Sequence, residues 1–303
     1  MTEQELQQLR LKKWRLDGVP IRTLEDAREF IDSVGFCLMY PLRQPVLVPT
    51  FIGAYVGEDS NLPTWKTAFA DPRAKDATEL MVRLLREKSA YEANLFGETN
   101  FLVSASVFPY FYGLVGDRNP KQMPKPGRRN EYTPLALAVF EAIQKHGAQT
   151  KNQLQERLGG ALSPAALDRA LNELWSRLRI TRVDYVPEEG AYWDALYRWS
   201  PEPVHDGIQM SIPEALTALL SKYIDCVVAA EQTEIGDFFS NFVPRSKVNE
   251  AVNALLSARA VQFSNVDNRS MLQAPAPKQT PADRARKQPI ARRPGRQIIK
   301  KTP

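Results

Sequence analysis

The sequence contains few of the residues on which metal and thiol chemistry depends. Its 303 residues include only two cysteines, Cys37 and Cys226, and two histidines, His146 and His205. The cysteines lie far apart with no C-x-x-C spacing, which argues against a disulfide framework and a structural zinc site. Histidine-based metal centres and catalytic triads are excluded for the same lack of ligands, and we expect no metal and no other cofactor. The cysteine usage fits a reducing, cytoplasmic compartment.

Long hydrophobic runs are also missing. No stretch approaches the roughly 18 apolar residues that a membrane-spanning helix needs. The first residues, MTEQEL, lack the basic and apolar segments of a secretion signal. We therefore expect a cytoplasmic protein with no membrane partner. Phosphate-loop, zincin, nucleophile-elbow and zinc-deaminase motifs are absent, so the sequence gives no support to those enzyme classes.

Positive charge is concentrated at the C-terminal end. The net charge is +5, but residues 274–303 carry nine Lys and Arg residues against one Asp, which leaves the rest of the chain slightly acidic. These residues also include six prolines and few large apolar side chains, a composition typical of a disordered tail. Such a tail would release counterions from a polyanion, and its Arg292 and Arg293 are candidate DNA contacts. A tail that only maintains solubility is the alternative.

One order of predicted elements occurs twice in the second half of the chain. In residues 132–203, three helix start signals precede three apolar helical stripes, and an alternating strand over 180–186 turns back into an aromatic strand. Residues 210–273 repeat three helices and a hairpin. This order is typical of a winged helix. We therefore predict a mainly α-helical fold with short β-hairpins and tandem winged-helix modules, which contain a helix-turn-helix.

The remaining segments complete the predicted domain organisation. An amphipathic helix, a continuous apolar run and a second clear helix indicate an N-terminal helical or winged-helix module. A basic, proline-rich stretch then reads as a linker or long surface loop. The predicted divisions are the N-terminal module 1–117, the linker 118–131, winged helices 132–203 and 210–273, and the tail 274–303.

The outward faces of the third helices carry the other candidate DNA contacts. In a helix-turn-helix protein the third helix presents residues to base edges, and the wing contacts phosphates. The candidates in the first module are Arg169, Asn172, Arg177 and Arg182, and those in the second are Arg245, Lys247, Asn249 and Asn253. Winged helices also dock proteins, so a protein-interaction scaffold or a transcriptional regulator is an alternative to a DNA-binding protein of another kind.

Two N-terminal segments resemble elements of the AlkZ/YcaQ-type DNA glycosylases. GFCLMYPL, residues 35–42, stands in place of the family's GYVQIDPL-type segment, and AYEANLFGETNF, residues 90–101, resembles its LFEYWxHEASxxP stretch. The two later modules resemble the family in order and length, so the likeness covers most of residues 5–272. It implies tandem winged helices, a role in DNA repair, and duplex or damaged DNA as the partner.

The sequence departs from this family at the catalytic signature. In the family, a glutamine, an apolar residue and then an aspartate or glutamine position the water that attacks the sugar carbon. The two polar positions match Leu38 and Tyr40 here. Leucine cannot hydrogen-bond to water, and a tyrosine hydroxyl with a reference pKa of about 10 is a poor base at neutral pH. Of the second segment's polar pair, only Glu98 remains.

We therefore predict a DNA-binding protein that lacks the family's catalytic mechanism. The alternative is a divergent glycosylase that excises alkylated or crosslinked bases, for which Tyr40, Glu98 and Glu92 are the local candidate catalytic groups. Because residues two apart share a face in an extended segment, we expect Leu38 and Tyr40 to line one cleft on the DNA side.

Overall fold

A computed structural model of the protein describes residues 1–43, 46–96, 100–124, 132–159 and 162–275. Within these ranges the chain is mainly α-helical with small antiparallel sheets, as the sequence predicts. No helix of the described residues combines the length and the apolar character needed to cross a bilayer.

The N-terminal part combines helices with a three-stranded sheet. The helices are α1 (Glu3–Lys13), α2 (Leu24–Val34), α3 (Phe51–Val56), the 3₁₀ helix Ala68–Ala70, α4 (Pro72–Arg86) and α5 (Phe108–Val115). The strands β1 (Phe36–Leu38), β2 (Ala90–Ala93) and β3 (Phe101–Ser104) pair antiparallel in the order β1–β3–β2. Thr23 and Asp26 form a capping box at the start of α2, and Gly35, at φ 79°, follows its last residue. Local signals therefore set the direction in which the chain enters β1.

The predicted order of three helices and a hairpin occurs in both later segments. The first contains α6 (Pro134–His146), α7 (Lys151–Arg157), α8 (Pro164–Trp175), β4 (Ile180–Val186) and β5 (Gly190–Ala195). Two further helices follow, α9 (Leu196–Trp199) and α10 (Pro201–Gln209). The second contains α11 (Ile212–Val227), β6 (Ala229–Ala230), α12 (Gln232–Phe239), α13 (Arg245–Ser257), β7 (Gln262–Val266) and β8 (Arg269–Gln273). Strand β6 pairs with β8 and adds a third strand to the second hairpin, a strand that the sequence pattern does not reveal.

Two large hydrophobic clusters form the core of the described residues. One consists of side chains from residues 132–195, and Phe140, Leu171 and Trp175 belong to it. The other joins the N-terminal sheet to the C-terminal helices, where Phe36 of β1 stacks with Tyr223 of α11 and Phe238 of α12. The start and the end of the chain therefore share a core, which holds β1 and the segment after it in place.

The hairpin β4–β5 packs against the N-terminal part through the edge strand β2. Among the described residues, no strand pairs with the outer edge of β2. The Trp175 indole N–H and the Thr181 hydroxyl donate to the carbonyl oxygen of Glu92 over 3.0 and 2.9 Å. These side-chain donors satisfy a buried carbonyl at the open edge and fix the hairpin beside α4.

Candidate functional site

A pocket of about 800 Å³ lies between α4 and the hairpin β4–β5. Tyr40, Glu92 and Arg182 all line it, although they come from three separate parts of the chain. Its volume falls within the range of roughly 300–1,000 Å³ that is usual for small-molecule sites. The pocket is therefore the place where candidate residues of the N-terminal part and the first hairpin meet.

Glu92 and Arg182 form an ion pair inside this site. The Arg182 Nη2 donates to Glu92 Oε1 over 2.7 Å, and Glu92 is only 1% exposed. The guanidinium also lies 4.5 Å from the centre of the Trp175 ring and 5.6 Å from that of Trp193. The opposite charge and the aromatic faces compensate for burial of the cation.

One atom of each partner in this pair lacks a hydrogen bond. Glu92 Oε2 and Arg182 Nε are buried, and neither has a hydrogen-bond partner among the described residues. Unsatisfied buried polar atoms are uncommon in proteins and each needs an explanation. Glu92 Oε2 is thus a free hydrogen-bonding position on a residue that lines the pocket.

Burial raises the pKa of the Glu92 carboxyl above its ordinary value, and the nearby Arg182 cation opposes this shift. Burial also raises the pKa of the Tyr40 hydroxyl, against a lowering by Thr78. A phenol whose pKa is raised stays neutral at pH 7 and is a poor proton acceptor. Of these two groups, only the carboxyl of Glu92 has its pKa moved towards neutrality.

Leu38 and Tyr40 lie in different surroundings. Leu38 pairs with Phe101 across β1 and β3 and is 2% exposed within the hydrophobic core. Tyr40 is 8% exposed, and its hydroxyl lies 3.4 Å from that of Thr78 at the pocket. Strand β1 ends at Leu38, so the alternation of an extended segment does not continue to Tyr40. Leu38 and Tyr40 therefore do not share a face: Tyr40 lines the pocket, and Leu38 lies in the core.

The candidate DNA contacts of the first module have different environments. Arg169 and Asn172 are exposed on α8, and Asn172 accepts a hydrogen bond from Asn94 at 3.3 Å. The Arg177 guanidinium lies 4.8 Å from the centre of the Tyr132 ring. Arg182 points into the ion pair with Glu92, so its predicted role as a phosphate contact of the wing does not fit its position.

The candidate residues of the second module lie on the surface of α13. All four are exposed: Arg245, Lys247, Asn249 and Asn253. Two of the cations have carboxylate partners, since Arg245 pairs with Asp237, and Lys247 contacts Glu250 over 2.8 Å. This face is therefore less cationic than its basic residues alone suggest. Glu98, Arg292 and Arg293 lie outside the described residues.

Sequence reasoning missed the residues on the α4 side of the pocket. Lys75 and Arg83 are exposed there, and Phe69 on the preceding 3₁₀ helix is 91% exposed. Lys75 and Arg83 are eight residues apart, which puts both on the helix face opposite the apolar stripe. The helical periodicity of the sequence could therefore have identified them. Phe69 belongs to no apolar stripe, which marks it as a surface aromatic.

In the ranges that the structure describes, no group of three or more His, Cys, Asp or Glu side chains could hold a metal ion. Cys37 and Cys226 are both buried as free thiols. Burial raises the pKa of the Cys37 thiol well above its ordinary value, and that of Cys226 to about 12, so that neither is a ready nucleophile.

Comparison with known proteins identifies the family. Residues 69–293 match the family model described as DNA glycosylase AlkZ-like. Among solved structures, the Streptomyces sahachiroi DNA glycosylase AlkZ is similar, with 14% sequence identity and a TM-score of 0.57 over 90% of this chain and 70% of that chain. No curated protein matches. The structural likeness shows the shared fold, and the family model covers most of the sequence. The chain therefore belongs to the AlkZ-like DNA glycosylase family.

Proposed function

We propose that this protein binds duplex DNA, including duplexes with a damaged base, without the water-positioning chemistry of its family. The observation that carries the proposal is the position of Leu38, whose buried side chain has neither the polarity nor the access to hold a water molecule. Tyr40, with a neutral hydroxyl, does not replace the missing carboxylate or amide. The family match begins at residue 69, so the correspondence of residues 35–42 rests on the sequence resemblance.

The proposed DNA-binding surface consists of the exposed faces of α8 and α13 and the basic tail. In this proposal the segments 132–203 and 210–273 act as winged helices, the residues of 1–117 form the N-terminal module, and 118–131 link the two parts. Exposed Arg169 and Asn172 on α8 support the first face. The nine cations of residues 274–303 would add affinity by releasing counterions from DNA. DNA binding is consistent with our expectation of a cytoplasmic protein.

A titration followed by fluorescence anisotropy tests DNA binding. The probes are a labelled undamaged duplex, the same duplex with one N7-methylguanine, and one with an abasic-site analogue, each measured over a series of salt concentrations. We expect the logarithm of the affinity to fall linearly with the logarithm of the salt concentration, because each neutralised phosphate releases counterions. Absence of any salt-dependent affinity near physiological salt would contradict the proposal.

An excision assay tests the absence of catalysis. The protein is incubated with the N7-methylguanine duplex, and abasic sites are counted by strand cleavage in alkali. We expect no more cleavage than in a sample without protein, since no polar pair at positions 38 and 40 holds a water molecule. Excision that rises in proportion to the amount of protein would contradict this part of the proposal.

A divergent glycosylase is the second candidate, and Glu92 is the observation that favours it. A carboxyl with a raised pKa and a free oxygen in a pocket has properties of a general acid or base. If the wild-type protein excises alkylated bases, Glu92→Gln should abolish excision. Tyr40→Phe and Glu98→Gln then show whether the hydroxyl of Tyr40 or the carboxyl of Glu98 also contributes to the rate of excision. Excision that survives all three substitutions would exclude these residues as the catalytic groups.

A further inference from the structure

We propose that a second pocket, where the segment 116–124 meets the turn between α8 and β4, binds a phosphate group. This pocket has a volume of about 600 Å³ and shares no residue with the pocket beside α4. Arg177 and Arg179 hold the anion, and the side-chain amides of Asn119 and Gln122 complete the site. The inference goes beyond the proposed function, because it concerns a small anion and does not require that the protein bind duplex DNA.

Arg179 is the buried cation of this pocket. It lines the pocket and is only 3% exposed. Its Nη1 donates over 2.9 to 3.2 Å to the carbonyl oxygens of three residues, Asn119, Pro120 and Gln122. Its Nη2 contacts the Asp117 carboxylate. The guanidinium therefore occupies the oxygen atoms of this segment that would otherwise repel an anion.

One donor of Arg179 remains without an acceptor. Its Nε is buried and forms no hydrogen bond within the part of the chain that the structure describes. A buried N–H of a charged group is costly to leave unpaired, and such groups are uncommon in proteins. An oxygen atom of an anion at the base of the pocket would satisfy this donor.

Arg177 supplies a second cation that no carboxylate of the described residues neutralises. Its guanidinium lies 4.8 Å from the centre of the Tyr132 ring, a contact that holds the cation at the pocket. Glu173, four residues earlier, is engaged elsewhere, since its two oxygens accept from the backbone N–H and the hydroxyl of Thr133, each over 2.9 Å. The N–H groups of Arg177 are therefore available to a ligand.

The remaining polar groups of the pocket also suit an anion. Its charged residues in the described ranges are two cations, Arg177 and Arg179, and one anion, Asp117, which leaves one positive charge in excess. Both oxygens of Asp117 are occupied, one by Arg179 and the other by the Asn119 N–H over 2.7 Å. The side-chain amides of Asn119 and Gln122 are exposed and make no hydrogen bond with a described residue. They can turn their N–H groups towards an anion.

A phosphate group fits these donors better than a carboxylate does. Guanidinium groups bind phosphate oxygens through paired, charge-assisted hydrogen bonds. A tetrahedral phosphate presents its oxygens in several directions, which suits donors that come from both the segment 116–124 and the turn after α8. The oxygens of a carboxylate lie in one plane. A phosphate monoester also carries close to two negative charges at neutral pH, for which the site offers two guanidinium groups.

Inorganic phosphate and the full chain are used for the first test. Binding is measured by isothermal titration calorimetry, and the melting temperature is followed at constant ionic strength set with sodium chloride. We expect saturable binding of one phosphate and a melting temperature that rises with phosphate concentration, because a ligand of the native state stabilises it. Acetate at the same ionic strength should bind roughly tenfold more weakly or less. Equal binding of acetate, or no saturable binding of phosphate, would overturn the proposal.

Substitutions then test the location of the site. Arg177→Ala should raise the Kd of phosphate by about tenfold or more, because a charge-assisted hydrogen bond is lost. Arg177→Lys keeps the charge without the paired donors and should have an intermediate Kd. Gln122→Ala, at an exposed position, should raise the Kd several-fold and keeps the test decisive if Arg177→Ala lowers the melting temperature.

The matched control is Arg259→Ala. It removes an exposed arginine that also forms no ion pair with a described residue and does not line the pocket. This variant should bind phosphate as the wild type does. If Arg177→Ala and Arg259→Ala change the Kd equally, or if Arg177→Ala and Gln122→Ala both leave it unchanged, phosphate does not bind in this pocket.

Two further probes distinguish the source of the phosphate group. Glycerol phosphate carries it on a small molecule, and a short single-stranded oligonucleotide with or without a 5′ phosphate carries it on a strand end. A 5′ phosphate that raises the oligonucleotide affinity in wild type but not in Arg177→Ala identifies a strand end as a ligand. Binding of glycerol phosphate without any effect of the 5′ phosphate identifies a small phosphorylated molecule. The proposed function fails separately, if inorganic phosphate binds and no duplex does.

Discussion

The Arg182 guanidinium donates to the Glu92 carboxylate over 2.7 Å and lies against the Trp175 ring at 4.5 Å. This ion pair joins the hairpin β4–β5 to the edge strand β2, two elements that are 90 residues apart in the sequence. A cation that the helix-turn-helix pattern assigns to a phosphate contact therefore connects the first hairpin to the N-terminal part. The ion pair uses only Oε1 of Glu92, so Oε2 has no hydrogen-bond partner among the described residues.

Removing the cation alone should destabilise the protein strongly. We expect Arg182→Met to lower the free energy of unfolding by on the order of 3 kcal/mol at pH 7, because Glu92 is left buried without a countercharge. The double variant Arg182→Met with Glu92→Gln should recover part of this loss. Denaturant unfolding of wild type, both single variants and the double variant gives the coupling energy. Arg169→Met, at an exposed cation, is the control and should change stability by less than about 0.5 kcal/mol. If Arg182→Met lowers the free energy of unfolding by no more than Arg169→Met does, the prediction is wrong.

The stability of the protein should depend on pH through Glu92. Burial raises the native pKa of this carboxyl above the ordinary value of 4.5, so the native state binds the proton more tightly than the unfolded state. The resulting stabilisation is complete below pH 4.5 and is lost as the pH rises through the native pKa. We therefore expect wild type to lose stability relative to Glu92→Gln as the pH rises above 4.5. A difference between the two curves that is flat, or that grows in favour of wild type, would show that the pKa is not raised.

Restoring the family's polar pair at positions 38 and 40 should not give the protein base-excision activity. Leu38→Gln with Tyr40→Asp places an amide in the core and should cost roughly 2–4 kcal/mol, seen as a fall in melting temperature. We expect no gain of excision on the N7-methylguanine duplex, because position 38 faces the core and not the pocket. Leu38→Met keeps an apolar side chain of similar volume and should lower the free energy of unfolding by less than about 1.5 kcal/mol. A well-folded double variant that forms abasic sites would refute the assignment of Leu38 to the core.

The two proposed recognition helices should differ in their sensitivity to loss of charge. Arg169→Ala on α8 should weaken DNA binding and reduce the salt slope by about 1, the value for one phosphate contact. Lys247→Ala on α13 should have a smaller effect, since this ammonium contacts Glu250. Lys12→Ala, at an exposed cation of α1, is the matched control. Equal effects of all three substitutions on the salt slope would indicate a general electrostatic response and no specific face.

Removal of residues 274–303 should weaken DNA binding without changing the melting temperature. The nine cations of this segment contribute to the salt slope at about 0.9 for each phosphate that they neutralise. The control replaces the segment with an uncharged Gly/Ser sequence of equal length, which should behave as the truncation does. If the affinity and the salt slope survive both changes, the tail does not contact DNA.

The sequence by itself determined the three helices and the hairpin of each later segment, while β6, α9 and α10 were not predicted. Thr133, Thr150, Ser163 and Ser211 cap the helices that their spacing predicts, because a cap and an apolar stripe involve only neighbouring residues. The resemblance in residues 35–42 and 90–101 also indicated the family from the sequence alone. Both signals are local, so they can be read without knowing how the elements pack.

Only the tertiary structure decided what the individual side chains contact. Arg182 has the outward spacing of a wing residue, yet it turns to Glu92 because β4 packs beside the open edge of β2. Leu38 and Tyr40 are two residues apart, and the end of β1 places one in the core and the other at the pocket. Phe69 lines a pocket only because α4 and the first hairpin enclose one beside it. Such contacts depend on elements that are distant in the sequence, and the periodicity of a single element contains no information about them.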